Sequence, residues 1–115
     1  MVSQETISQI SIDLEDLNVS EGIILTAQID ISTHSKLLRQ YIKSNFVYFI
    51  LQGQEVVYVG STINISARIS QHRKDKDFTN ILLIKYNNHE NMYNSEKRII
   101  SKFNPKLNKK KYLNG

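Results

Sequence analysis

FVYFILQGQEVVYVGSTINISARISQHRK, residues 46–74, decides how this chain is read. Phe46 to Leu51 is a continuous apolar run, Gln52-Gly53-Gln54 turns the chain, and Val56 to Val59 returns it, which predicts a β-hairpin. Ser61 to Asn64 reads as a polar turn, with Asn64 placed to cap a helix from Ile65 to about Lys74. Positions 65, 68, 69 and 72 fall on one face of that helix by the i, i+3, i+4, i+7 rule. Two of them are isoleucine; the other two are Arg68 and His72. Either residue alone is explained by a stem lying on the core with its polar end in water. As i, i+4 neighbours they share a partner, and a phosphate suits both, because guanidinium grips phosphate through a rigid donor fork.

Outward from this stretch, Ile81 to Ile84 predicts a third strand. Glu90 to Phe103 predicts a helix stopped by Asn104-Pro105, since the residue before proline avoids helical angles. The order ββαβα gives a small α/β (α+β) sandwich with a central three-stranded, mostly antiparallel sheet flanked by helices. In the last helix Met92, Glu96, Ile99 and Phe103 share a stripe, widened by Ile100, so Glu96 projects where a hydrophobe is expected. A carboxylate there needs a cation: either an ion pair with Arg68, Lys97 or Arg98, or a metal held by one carboxylate and waters. The hairpin leaves Tyr48 and Tyr58 open. A three-residue loop at 52–54 puts them opposite each other on one face; a two-residue loop at 53 and 54 puts them on different faces.

Upstream, residues 1–45 read as an acidic arm distinct from a basic domain at 46–115. Ile10, Ile12 and Leu14 alternate with polar residues, and Ile23 to Ile31 is a longer β-rich run, with Glu21-Gly22 turning between them: a β-hairpin. Lys36 to Ser44 has Leu37, Leu38, Tyr41 and Ile42 at helical spacing. This extension is open to two readings: an arm for self-association or for wrapping a polymer partner, or an extra layer that only stabilises the fold.

The chain of 115 residues is long enough for one modest core. No apolar run approaches the ~20 residues that span a bilayer, and no secretory signal is evident, so an intracellular, cytoplasmic protein without membrane partners is expected. The absence of cysteine excludes disulfides, thiol nucleophiles and cysteine-ligated zinc, which leaves oxygen and imidazole ligands and favours Mg²⁺ or Mn²⁺. Residues 1–45 carry three basic and six acidic side chains, net −3; residues 46–115 carry twelve and five, net +7. The basic part suits a polyanion such as DNA, with Arg73, Lys74, Lys76, Lys85, Lys102, Lys106 and Lys109 to Lys111 as candidate phosphate contacts.

As an ordered set these residues resemble the GIY-YIG nuclease family. Phe46-Val47-Tyr48 stands as the first half-motif and Tyr58-Val59-Gly60 as the second. Arg68 follows ten residues after Tyr58, His72 four later, then come Glu96 and Asn108 in Pro-Lys-Leu-Asn, so the likeness covers residues 46–108. The resemblance implies that Glu96 binds the one divalent ion, that Arg68 contacts the scissile phosphate, and that Tyr58 activates the water. His72 shares the general-base role, Tyr48 and Asn108 complete the polar network, and Gly60 permits close packing beside the site. It implies a DNA endonuclease leaving 5′-phosphate and 3′-hydroxyl ends. One departure stands out: Phe46 replaces the family's first glycine. Two other readings of the chain are a fold-retaining DNA-binding module without cleavage and a basic structural protein of a nucleoprotein particle.

Overall fold

The computed structural model describes residues 3–17, 23–30 as backbone, 44–76, 78 and 80–108. The elements run α1 (Gln4–Asp16), β1 (Ile23–Asp30), β2 (Asn45–Gln52), β3 (Glu55–Thr62), α2 (Ile65–His72), β4 (Asn80–Tyr86) and α3 (His89–Phe103). Every strand pairing is antiparallel, in the order β1-β4-β2-β3. The expected three strands therefore stand side by side, and β1 adds a fourth on the outer edge of β4.

The hairpin expected in the N-terminal segment is corrected. Ile10 to Leu14 lies in α1, and β1 pairs with β4 instead of with a preceding strand. Five alternating residues fit either period. Ile7, Ile10 and Leu14 are the buried positions, at helical spacing, and Ile12 faces out at 51% exposure. Ser3 caps the helix by accepting the Thr6 amide at 3.2 Å. Gln54 Oε1 in the β2–β3 turn then accepts from both the Ser3 amide and the Thr6 hydroxyl, each at 2.7 Å. The helix expected over Lys36 to Ser44, the turn at Glu21-Gly22 and the basic run Lys109 to Lys111 lie outside the described residues.

Two apolar clusters cover the sheet, one on each face. Val47, Phe49, Leu51, Val59, Leu82 and Ile84 meet α1 and α3 on one side. Phe46, Tyr48, Ile50, Val57, Ile81 and Leu83 meet Ile65 and Ile69 of α2 on the other. This alternation along β2 and β4 gives a three-layer sandwich with both faces covered. Phe46, the departure from the family pattern, is fully buried beneath α2, so its ring serves the smaller core. Among the described residues no helix is long and apolar enough to cross a membrane.

Candidate active site

The β2–β3 turn is the two-residue form at Gly53 and Gln54, with Gly53 in the left-handed region at φ 60°. Gln52 pairs with Glu55 and Leu51 with Val56; the register then slips, and Ile50 pairs with Tyr58. Val57 is thus an extra residue, a β-bulge. Were Val57 paired in step with Ile50, Tyr58 would fall against Phe49 and point toward α3. The bulge turns it to the side of Tyr48, where the two rings stack with centroids 6.1 Å apart. Both open alternatives are thereby resolved: the loop is short, yet the tyrosines share a face.

Tyr48 pairs with Gly60 across the ladder. A Cβ on Gly60 would lie 2.6 Å from Tyr48 Cζ and 3.0 Å from Cε1, inside any real contact. Only glycine leaves the phenol room to lie across β3.

From α2, capped by Asn64 accepting the Ala67 amide at 3.2 Å, His72 reaches the same spot. It is buried, and its Nε2 shares a 2.7 Å hydrogen bond with the Tyr48 hydroxyl. Its ring centroid is 4.6 Å from that of Tyr58. Burial, helped by the nearby Lys76 charge, lowers His72 to about 4, so the imidazole is neutral at pH 7. Burial also pushes the Tyr48 phenol up, with Tyr58 adding to it. Tyr58 is raised by burial, while its hydrogen bonding with Tyr48 pulls it back. All three groups are neutral near neutral pH and joined through Tyr48.

Arg68 departs from the expected buried stripe. Ile65, Ile69 and His72 are the buried positions of α2, while Arg68 is exposed and donates to Gln71 Oε1 at 3.3 Å. Its charge nonetheless acts on Tyr48, Tyr58, His72 and Glu96.

Glu96 arrives from α3, on the opposite face of the sheet. It is half-buried and accepts from the Ser61 hydroxyl at 3.0 Å. Burial raises its carboxyl above the ordinary range, with the Ser61 hydrogen bonds opposing. Arg98, one of the expected ion-pair donors, instead reaches the Leu17 carbonyl at 3.4 Å. Glu96 also raises both tyrosines, so the two layers meet across the edge of β3 near Gly60.

Asn108 stands apart from this network. Its side chain accepts from the Val59 amide at 3.0 Å and donates to the Val59 carbonyl at 2.9 Å, as a neighbouring strand would. Leu107 adds a backbone bond to Val57 at 2.9 Å, so residues 107 and 108 close the free edge of β3 beside Tyr58. Of the candidate DNA contacts, Arg73, Lys74, Lys85 and Lys102 are exposed, and Lys106 pairs with Glu55 at 3.5 Å. Lys76 differs: its ammonium lies 4.8 Å from the Tyr58 ring centroid and 3.2 Å from Asp75 Oδ1. The sequence reading missed Ser61 as the holder of Glu96. The signal was available, since Ser61 follows Gly60 in a strand and alternates with it toward α3.

The oxygen donors here, the Glu96 carboxylate with phenol and hydroxyl nearby, fit a hard divalent cation carrying several waters. Among the described residues no three His, Cys, Asp or Glu side chains gather into a metal cage.

Neither a curated protein nor a solved structure matches the chain. A family model does: the GIY-YIG catalytic domain matches residues 44–111, more than half of the chain. Members of that family are endonucleases, hydrolases that generally use divalent metal ions. With the two tyrosines, the histidine and the glutamate gathered around Gly60 within the matched residues, the chain belongs to the GIY-YIG catalytic domain family.

Proposed function

We propose that the protein is a Mg²⁺- or Mn²⁺-dependent DNA endonuclease that hydrolyses a phosphodiester bond to 5′-phosphate and 3′-hydroxyl ends. One observation carries this reading. Tyr48, Tyr58 and His72 form a connected neutral cluster, with the Arg68 charge acting on it and the Glu96 carboxylate across Gly60. A purely structural ion pair or core requires none of that arrangement.

Arg68, exposed but within range of every site group, holds the scissile phosphate and stabilises the charge that builds on it during in-line attack. Glu96 would hold the divalent cation, which when bound would supply neutralisation of the charge that develops on the phosphate. Tyr58 takes the proton of the attacking water as its own proton passes to the Tyr48 oxygen, and the Tyr48 proton passes to His72 Nε2. This route needs His72 neutral with its proton on Nδ1, and its low pKa supplies the neutral form across the physiological range. The exposed Arg73, Lys74, Lys85 and Lys102, together with Lys106, carry the DNA backbone without reading its sequence. One site cuts one strand per encounter, so a double-strand break takes two chains or two encounters, and self-association through residues 1–45 is one way to bring two chains together.

Relaxation and linearisation of supercoiled plasmid, with Mg²⁺ and with chelator, test the proposal. Native protein nicks only with the metal, and its ends are ligatable. Glu96→Ala and Arg68→Ala lose cutting by about 10²-fold or more, on the scale of removing a transition-state contact. Binding of DNA without any scission by the native protein identifies a non-cleaving module instead.

A further inference from the structure

Lys76 lies just beyond α2, and the chain path there is fixed. Its amide donates to the His72 carbonyl at 2.9 Å, and the Asp75 amide donates to the same oxygen at 3.2 Å. Lys76 and His72 are therefore one turn apart, and both reach Tyr58: the imidazole at 4.6 Å between centroids, the ammonium at 4.8 Å from the ring centroid. A lysine whose only task is to meet the DNA backbone keeps its stem in water, as exposed Lys74 and Lys102 do. The side chain of Lys76 is 11% exposed, and Asp75, at 3.2 Å and 62% exposed, pairs with it from the solvent side. Desolvating an ammonium is unfavourable unless an anion and an aromatic face compensate, and both are present.

We propose that Lys76 is a positioning residue of the active site: its ammonium, held by Asp75, seats on the Tyr58 ring and fixes the phenol that receives the water's proton. The inference rests on the nuclease reading. It removes Lys76 from the set of DNA-backbone contacts and makes the turn after α2 part of the catalytic apparatus. Tyr58 is thereby held by Tyr48, His72 and Lys76, with Asn108 and Leu107 fixing the strand on either side of it.

The test compares native protein, Lys76→Met and Lys76→Arg, with folding checked by thermal melts. Methionine keeps an apolar stem and removes the charge; arginine keeps the charge and stacks on aromatic faces. The expected result is a cleavage rate constant about tenfold lower for Lys76→Met, within the range a desolvated cation–aromatic contact supports. DNA affinity and its salt dependence stay native, and Lys76→Arg restores most of the rate. A phosphate contact behaves oppositely: the slope of log K against log salt falls by about 0.9, with the rate constant at saturation intact. That outcome overturns the proposal, as does native behaviour of Lys76→Met in every assay or an equal loss in both variants. A readout independent of cutting accompanies these. The Lys76 ε-methylene protons are shifted upfield by the Tyr58 ring in the native NMR spectrum and return to ordinary positions in Tyr58→Leu. Absence of that shift overturns the seat even when the protein cuts DNA. A native protein that never cuts sinks the nuclease reading, while the ring-current shift and the salt slope still decide where Lys76 lies.

Discussion

The two faces of the sheet are built from alternate residues of the same strands, yet they differ in kind. The face beneath α1 and α3 is mainly apolar, from Ile7 and Leu14 to Val59 and Ile100, with the Tyr86 hydroxyl buried within it and Ser61 holding Glu96 at its rim. The face beneath α2 is covered by a shorter helix and carries Tyr48 and His72 inside its core, hydrogen-bonded to each other. A buried polar pair is tolerable when each member satisfies the other. The difference teaches that stability and chemistry are divided between the layers, with β3 as the partition. Val59 and Ser61 belong to the stable side, Tyr58 and Gly60 to the reactive one.

The strongest way to break this division is to shift the strand after the bulge by one residue. Inserting one alanine between Val57 and Tyr58 sets the new residue against Ile50 and Tyr58 against Phe49, so Tyr58 and the residues after it change faces. Cleavage is expected to vanish, with the melting midpoint falling by ten degrees or more on the order of the loss of several core contacts. Near-UV circular dichroism should lose the signal of the stacked tyrosines. Retention of activity by the insertion variant would show that the strand absorbs the added residue in a wider bulge and that the spacing after Val57 does not set the face of Tyr58.

Gly60→Ala gives the next largest effect. Its Cβ collides with the Tyr48 ring, and overpacking of this kind costs about 1–3 kcal/mol. Cleavage should fall at least about tenfold, because the displaced phenol no longer links Tyr58 to His72. Gly53→Ala is the matched control. Nothing lies within 4 Å of that position, so its penalty is confined to the left-handed backbone, roughly 1 kcal/mol, and cutting by the folded protein is unchanged.

Acid distinguishes the faces through His72. Its folded value, about 4, lies below the ordinary 6.5, so the unfolded chain binds the proton more readily. Stability that is full above pH 6.5 is lost as pH falls toward 4, by at most about 3 kcal/mol. Glu96, raised by burial, acts with the opposite sign, so the measurement is the difference between native protein and His72→Gln in chemical denaturation from pH 7 to 4. A native slope no steeper than that of the variant would remove the burial argument for His72.

How much of this was legible depends on the range of the interaction. The strands, the Asn64 cap, the stop at Asn104-Pro105 and the anomalous Arg68, His72 and Glu96 follow from local periodicity. The bulge did not, because Val56-Val57 satisfies a strand whether or not one of them is extra, and only pairing with β2 reveals the surplus. The first helix was misread because three alternating hydrophobes fit two periods until Ile7 is added. Arg68 was placed too deep, since a helical wheel does not show how far a neighbouring layer extends. Lys76 sat among the peripheral cations because its contact with Tyr58 depends on where the turn after α2 lands.

The smallest expected effect on stability concerns the Glu96 rim and has the opposite sign from the others. Burial raises the Glu96 carboxyl, so ionised Glu96 opposes folding: its favourable contribution is present at low pH and is lost as pH rises through the folded value. Glu96→Gln removes that charge and keeps an oxygen able to accept from Ser61. At pH 7 the variant should therefore be more stable, by on the order of 1 kcal/mol, and show little or no cutting. Ser61→Ala separates the two parts of this expectation. It takes away the donor that opposes the rise, so the carboxyl moves further up and cutting weakens, while the apolar face beneath α3 stays intact. A Glu96→Gln protein less stable than native at pH 7 would mean that Glu96 is held as a structural anion, and the division between a stable face and a reactive edge would fail at the position where the layers meet.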